Sequence, residues 1–259
     1  MVFTRFLQRF RQSRKPSPPP LPDDLQEIYQ KASQGHVLEQ VLWGKALLNS
    51  QYLPSDHMRA YEWFTIAAKA HYGPAHNMLG RCAQFGWGCP RNLPTAAQHY
   101  NRAAQLGDLW GTYNLGILYM RGLGVEKNMK QAFILFRRAA LKGHPKSMNL
   151  LARFIEEGWE TPPNPQAAFD WYRRSAEGGD YRGQHNYAAL LLSMNRPEEA
   201  LEFWRKSVQN ATPDILLAME RELSRPNAPH DDELRQDIAQ KLAEFRTEHE
   251  IDHLSATSS

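Results

Sequence analysis

Apolar and small residues recur along this chain in stripes of helical spacing, and the stripes come in two alternating kinds. Thr112, Leu115, Gly116 and Tyr119 share one face of a helix; Ala132, Phe136, Ala139 and Ala140 share one face of the next. Small residues let a neighbouring helix approach closely, and an aromatic fills the space that they leave. The pair then repeats. Leu79-Gly80 returns at a step of 36 as Leu115-Gly116 and, weakened, as Leu151-Ala152, with Trp43-Gly44 one period before and Tyr187-Ala188 one period after. Trp63-Phe64 returns as His99-Tyr100, Leu135-Phe136 and Trp171-Tyr172, while Ala67-Ala68 returns as Ala103-Ala104, Ala139-Ala140 and Ser175-Ala176. A sustained period of this length marks a stack of helical hairpins.

The punctuation agrees. Asp56, Asn92, Asn128 and Asn164 follow one another at the same step, each just before the second helix of a unit. A short Asx side chain there accepts an orphan amide of the first turn, typically worth ~1 kcal/mol. Pro165 suits the first helical position, and Gly107, Gly143 and Gly179 suit left-handed C-caps. Between the helices, Gly86-Trp87-Gly88-Cys89 and Gly122-Leu123-Gly124-Val125 predict tight turns whose apolar residue plugs the hairpin. Glycine loops that cradle phosphate follow a strand; these follow helices and recur in each unit, so phosphate binding is not expected.

At these residues the chain resembles the Sel-one-like repeat family, cousins of the tetratricopeptide repeats. The match is fullest over residues 109–144, through Leu115, Gly116, Tyr119, Gly122, Gly124, Val125, Asn128, Ala132, Phe136, Ala139, Ala140 and Gly143, and it covers roughly residues 36–208. Ser50-Gln51-Tyr52-Leu53 departs from it by lacking the loop glycines, and Gly158-Trp159-Glu160-Thr161 keeps only one. In the last unit the step from Tyr187 to Ala200 is shorter than the equivalent step from Leu115 to Ala132. The expected fold is all-α: a right-handed α/α solenoid of about five helix-turn-helix repeats with helical caps. The expected organisation is a basic amphipathic leader and Pro-rich linker over 1–22, the repeat solenoid over 23–212, capping helices over 213–249 and a disordered tail over 250–259.

Charge separates the first of these segments from the rest. The chain of 259 residues has a formal net charge of +3; residues 1–22 hold five cations and no acid, which leaves 23–259 at −2. The body therefore has no basic surplus, and nucleic acid is not an expected partner. In the leader, Phe3, Phe6, Leu7 and Phe10 fall on one helical face, with Arg5 and Arg9 towards the other. That pattern fits contact with an anionic membrane surface through residues 1–15; an unstructured leader, a docking segment and an organelle presequence stay open beside it. No run approaches the ~18 apolar residues of a membrane-spanning helix. No secretory signal is visible either, so the expected compartment is the cytoplasm, with the periphery of the inner membrane as the alternative.

The search for chemistry finds no catalytic constellation. Ten histidines are scattered, and His71 and His76 have no cysteine or carboxylate at metal spacing. No cofactor, metal or small-molecule substrate is expected. Cys82 and Cys89 read as reduced, packed thiols. Hydrolase activity is attributed to cysteine-rich relatives of the resembled family, and this chain lacks their repeated cysteines and any nucleophile–base pair, which argues against an enzyme. What remains is surface. In tetratricopeptide-like stacks the first helix of each unit lines the concave side, which points to Asn77, Arg81 and Gln84, then Trp110, Tyr113 and Ile117, then Asn149 and Arg153, then Arg182 and His185 as a protein-binding groove. The resemblance implies a scaffold or adaptor, such as those of bacterial envelope, secretion or signalling assemblies. The alternative is a structural component tethered to a membrane surface.

Overall fold

A computed structural model describes residues 21–257 apart from 226 and 227. The proposed membrane contacts Phe3, Phe6, Leu7 and Phe10 lie outside the described residues. Within them the chain is helical throughout, and the sole β feature is an isolated bridge from Ser50 to Leu53, at the loop that lacks glycine. A single helix, α1 (Asp23–Ser33), precedes five hairpins: α2 (Val37–Leu48) with α3 (His57–Ala68), α4 (Gly73–Phe85) with α5 (Leu93–Gln105), α6 (Leu109–Arg121) with α7 (Met129–Leu141), α8 (Pro145–Glu156) with α9 (Pro165–Glu177), and α10 (Tyr181–Ser193) with α11 (Pro197–Val208). Helices α12 (Pro213–Leu223) and α13 (Asp232–Thr257) follow. From α1 to α11 each helix packs on the next in sequence, which makes the molecule an α/α solenoid, and α12 and α13 close its end against α10 and α11. Helix α13 continues to Thr257, whereas the sequence reading stops it at 249 and expects an unstructured tail; residues 250–257 contain no Pro or Gly to end it.

The recurring pairs of the sequence meet as expected. Phe64, Tyr100, Phe136 and Tyr172 are buried, one in each of the first four hairpins. A methyl group added to Gly44, Gly80 or Gly116 would lie 2.5, 2.5 or 2.6 Å from the ring of Phe64, Tyr100 or Phe136. These glycines are therefore the floor on which the aromatic of the partner helix sits. The Asx caps form as well: Asp56, Asn92, Asn128 and Asn164 accept from the backbone N–H groups of Arg59, Thr95, Gln131 and Ala167 at 2.8–2.9 Å. The fifth hairpin closes over Trp204, which shares with Val208, Leu216, Met219, Leu234 and Ile238 one buried cluster spanning α8 to α13.

Loops join consecutive hairpins from outside the core. Gly88 and Gly124 adopt φ of +69° and +70°, and a side chain on either would collide with the backbone of His57 or Leu93, at the start of the preceding unit's second helix. The equivalent position in the fourth hairpin is Glu160, held at φ +62°. A residue with a Cβ stands there in the left-handed region that glycine fills in the two hairpins before it.

A groove lined by the first helices

Two cavities of about 470 and 500 Å³ run along one side of the stack. Their walls come almost entirely from the first helix of each hairpin. The first cavity takes Lys45 from α2, Asn77, Arg81 and Gln84 from α4, Trp110 and Tyr113 from α6 and Lys146 from α8. The second takes Ile117 and Met120 from α6, Asn149 and Arg153 from α8, Arg182 and Asn186 from α10 and Asp214 from α12. Tyr113, Asn114 and Lys146 line both, so the two cavities form one surface. First helices also approach one another directly, at α4/α6, α8/α10 and α10/α12, while the second helices α3, α5, α7 and α9 make no comparable approach. The stack curves with its first helices inside, and the groove is its concave side.

The polar residues of the groove are held by partners that the repeat imposes. Asn114 Nδ2 donates to Asn77 Oδ1 at 2.9 Å, from α6 to α4, and Asn186 Nδ2 donates to Asn149 Oδ1 at 2.8 Å, from α10 to α8. The second pair repeats the first after two periods. Tyr100 donates its hydroxyl to Gln84 at 2.7 Å, and two periods on Tyr172 donates to Glu156 at 2.7 Å. Burial pushes the Tyr100 hydroxyl well above its ordinary pKa, so it remains a donor. The Arg81 guanidinium lies 4.9 Å from the ring centre of Trp87 and that of Arg153 lies 5.3 Å from Trp159, again at a step of two periods. The second and fourth hairpins thus carry one polar module each.

The third hairpin carries something else. Trp110, Tyr113 and His144 meet in a cluster with ring centres 4.8–6.3 Å apart, and Lys146 sits 5.3 Å above Trp110. His144 caps α8: its Nδ1 accepts from Ser147 N at 3.3 Å and lies 2.9 Å from Ser147 Oγ. Burial, helped by the charge of Lys146, lowers its pKa to about 4. The ring is neutral at pH 7 and its Nε2 has no partner among the described residues. Trp110 itself is about half exposed and borders further cavities at the rim of the groove.

The structure thus brings Asn77, Arg81, Gln84, Trp110, Tyr113, Ile117, Asn149, Arg153 and Arg182 to one surface. It differs from the sequence reading at three positions. Asn77 and Asn149 are not open groove residues but are 9% and 5% exposed, because the asparagine of the following unit lies over them. His185 leaves the groove altogether: it is buried, with its ring stacked 6.2 Å from Trp204, and that burial brings its pKa down to about 4. The sequence reading also passed over Asn114 and Asn186. Their signal was present, since each stands one period and one position after its partner. Cys82 and Cys89 are free thiols, and burial pushes Cys82 up to about 12, which leaves it inert. Among the described residues no group of three or more His, Cys, Asp or Glu side chains could hold a metal ion, and no helix is long and apolar enough to cross a membrane.

Comparison with known proteins locates the repeat independently. The Sel1 repeat matches at residues 40–72, 73–108, 111–144 and 145–180. The chain is 30% identical over 160 residues to the chitin synthase regulator SKT5 of Malassezia restricta, covering 60% of this chain and 11% of that protein. It is 38% identical over 81 residues to the ERAD-associated E3 ubiquitin-protein ligase component HRD3B of Arabidopsis thaliana, covering 31% of this chain and 12% of that one. The chain thus spans about a tenth of the length of either relative. The crystal structure of a Sel1 repeat protein from Oxalobacter formigenes superposes with a TM-score of 0.68 at 19% identity, over 87% of this chain and 99% of the other.

Proposed function

The chain belongs to the Sel1 repeat family, and from that premise we propose that it is a non-enzymatic adaptor that holds an extended peptide or protein segment along the concave groove. Proteins built from these repeats generally mediate contacts between proteins. The names of the two relatives, a regulator of chitin synthase and a component of a ubiquitin-protein ligase, suit a role exercised through another protein. The cytoplasm as its compartment is part of the same proposal.

One observation carries the reading. Tyr113, Asn114 and Lys146 join two cavities into a single surface that crosses α2, α4, α6, α8, α10 and α12. An extended segment lying there meets polar, aromatic and polar walls in turn. The test begins by capturing a partner with the full chain and identifying it by mass spectrometry. Arg81→Ala, Arg153→Ala and Tyr113→Ala are then each expected to weaken that complex by ~1–3 kcal/mol. The arginine changes cost no more than about 1 kcal/mol of stability, the value of an exposed cation–aromatic contact. Arg138→Ala, on the exposed face of α7, is expected to leave binding intact. A complex disrupted by Arg138→Ala and indifferent to the groove changes places the ligand on the convex side and ends this reading.

A further inference from the structure

The groove carries a charge that the composition conceals. Residues 23–259 are net −2, yet the two cavities are lined by Lys45, Arg81, Arg121, Lys146, Arg153 and Arg182. The carboxylates on that lining are Asp180 and Asp214, and Glu156, one turn along α8 from Arg153, adds a third at its edge, where it accepts from the Tyr172 hydroxyl. Asp180 is buried and occupied in capping α10 through Gly183 N, and Asp214 sits at the far end, 3.9 Å from Arg182. Lys45, Arg81, Arg121, Lys146 and Arg153 have no carboxylate within ion-pair distance among the described residues. Cations collected on the inside of a body that is net acidic are arranged for an anionic occupant.

We propose that the groove's ligand is an acidic, extended polypeptide segment, with carboxylates on either side of an apolar side chain. This rests on the reading of the groove as the binding surface and adds the chemistry of what it binds. Arg81 and Arg153 are the two clamps. Each guanidinium lies over the ring of a loop tryptophan of its own hairpin. The contact holds the group from one side and leaves N–H donors for a carboxylate, which a guanidinium can meet as a forked pair. Between the clamps the third hairpin offers the apolar and aromatic side chains Tyr113, Ile117 and Met120, with Arg121 beyond them at the end of α6. At roughly 8–10 Å per helix contact, the first helices two units apart are separated by roughly 20 Å. An extended chain rises about 3.3 Å per residue, so the two acidic positions fall about six residues apart, with the apolar side chain midway.

The amide pairs favour a polypeptide over another polyanion. In the pair Asn77–Asn114, one Nδ2 group and one Oδ1 are joined. That leaves the Nδ2 of Asn77 as a donor and the Oδ1 of Asn114 as an acceptor, and neither belongs to the sealed, unsatisfied atoms of the interior. Asn149 and Asn186 leave the same two groups two periods on. A donor beside an acceptor matches the C=O and N–H of a peptide backbone. A phosphate backbone has only acceptors.

The test is a selection of random dodecapeptides displayed on phage against the full chain, with the double variant Arg81→Glu/Arg153→Glu as the counter-target. Dichroism and melting first establish that this variant folds. Peptides chosen by the unaltered protein are expected to carry Asp or Glu five to seven residues apart around an apolar residue. Measured by fluorescence anisotropy, they are expected to lose tenfold or more in affinity on either single reversal, and to weaken steeply with added salt. Neutral or basic peptides whose binding depends on Tyr113 overturn the charge inference and leave the groove reading standing. Acidic peptides indifferent to Arg81, Arg153 and Tyr113 alike, or a selection that yields no groove-dependent peptide, count against both. A single-stranded oligonucleotide that competes with the selected peptides and binds more tightly than they do overturns the proposal in favour of nucleic acid.

Discussion

Helices α4 and α6 are joined on their groove side by an amide pair, and so are α8 and α10; α6 and α8, between those two joints, are joined by an aromatic cluster. The comparison separates two ways of building the same curve. An amide pair is short and directional, so it lets the helices close in and fixes their register; α4/α6 and α8/α10 do approach one another closely. Trp110, Tyr113 and His144 are bulky, and α6 and α8 make no comparable approach. The wider joint gains its stability from buried area, and it keeps a histidine uncharged. Chemistry of the side chains, rather than the period, decides how each joint behaves.

Three measurements break or sharpen that contrast. The largest effect is expected at the floor of the aromatic joint. Phe136 is fully buried, in contact with Tyr113 and Phe154 and seated on Gly116. Phe136→Ala is expected to cost ~3–5 kcal/mol in urea unfolding, through lost burial and a cavity that rigid helices cannot collapse. A loss below about 1 kcal/mol shows that the joint does not rest on packing.

Acid comes next. His144 and His185 have folded pKa values lowered to about 4 by burial, whereas an unfolded histidine titrates near ~6.5. Between those values the unfolded chain binds more protons, so stability falls as pH falls through the window, by ~2 kcal/mol for each histidine at pH 5. Asp108 and Asp180, whose carboxyls burial pushes up, act in the opposite sense lower in the window, because the native form then takes the proton first. Burial lowers His76 and His99 as well, and they add to the loss; His144→Asn retains a capping side chain and is expected to remove the His144 share of it. Asn77→Ala is expected to leave the pH slope unchanged. Equal slopes for the native protein and His144→Asn erase the distinction between the joints.

The smallest effect belongs to the amide pairs. Asn77→Ala, Asn114→Ala and the double variant form a cycle whose coupling is expected at about 1 kcal/mol, the net worth of a partly buried hydrogen bond. Zero coupling makes the pair a consequence of the curvature and not a cause of it.

The hairpins, their caps and the aromatic-on-glycine contacts were legible because each depends on positions within one period, such as Asn128 with Gln131 or Gly116 with Phe136. The side of the stack that forms the groove came instead from the resemblance to tetratricopeptide-like stacks. What escaped depends on contacts that no helical spacing signals. Asn77 reads as a surface residue until Asn114, one unit and one position later, is laid over it. His185 reads as a groove residue until Trp204, on the second helix of the same hairpin, is stacked against it. The pairing of Arg81 with Trp87 and of Arg153 with Trp159 crosses from helix to loop, where no helical spacing signals it.

The recurrence of the amide pair at every second unit has a consequence for how such a chain can change length. Removing the third hairpin alone would set Asn77 against the fourth, where Leu150 holds the place of Asn114, and an amide would lose its mate. Removing the third and fourth together would set Asn77 against Asn186, and the joint would be restored. Tandem genes gain and lose repeats by unequal exchange between misaligned copies. For this chain the exchange that keeps the amide joint whole is an even one, of two hairpins at a time.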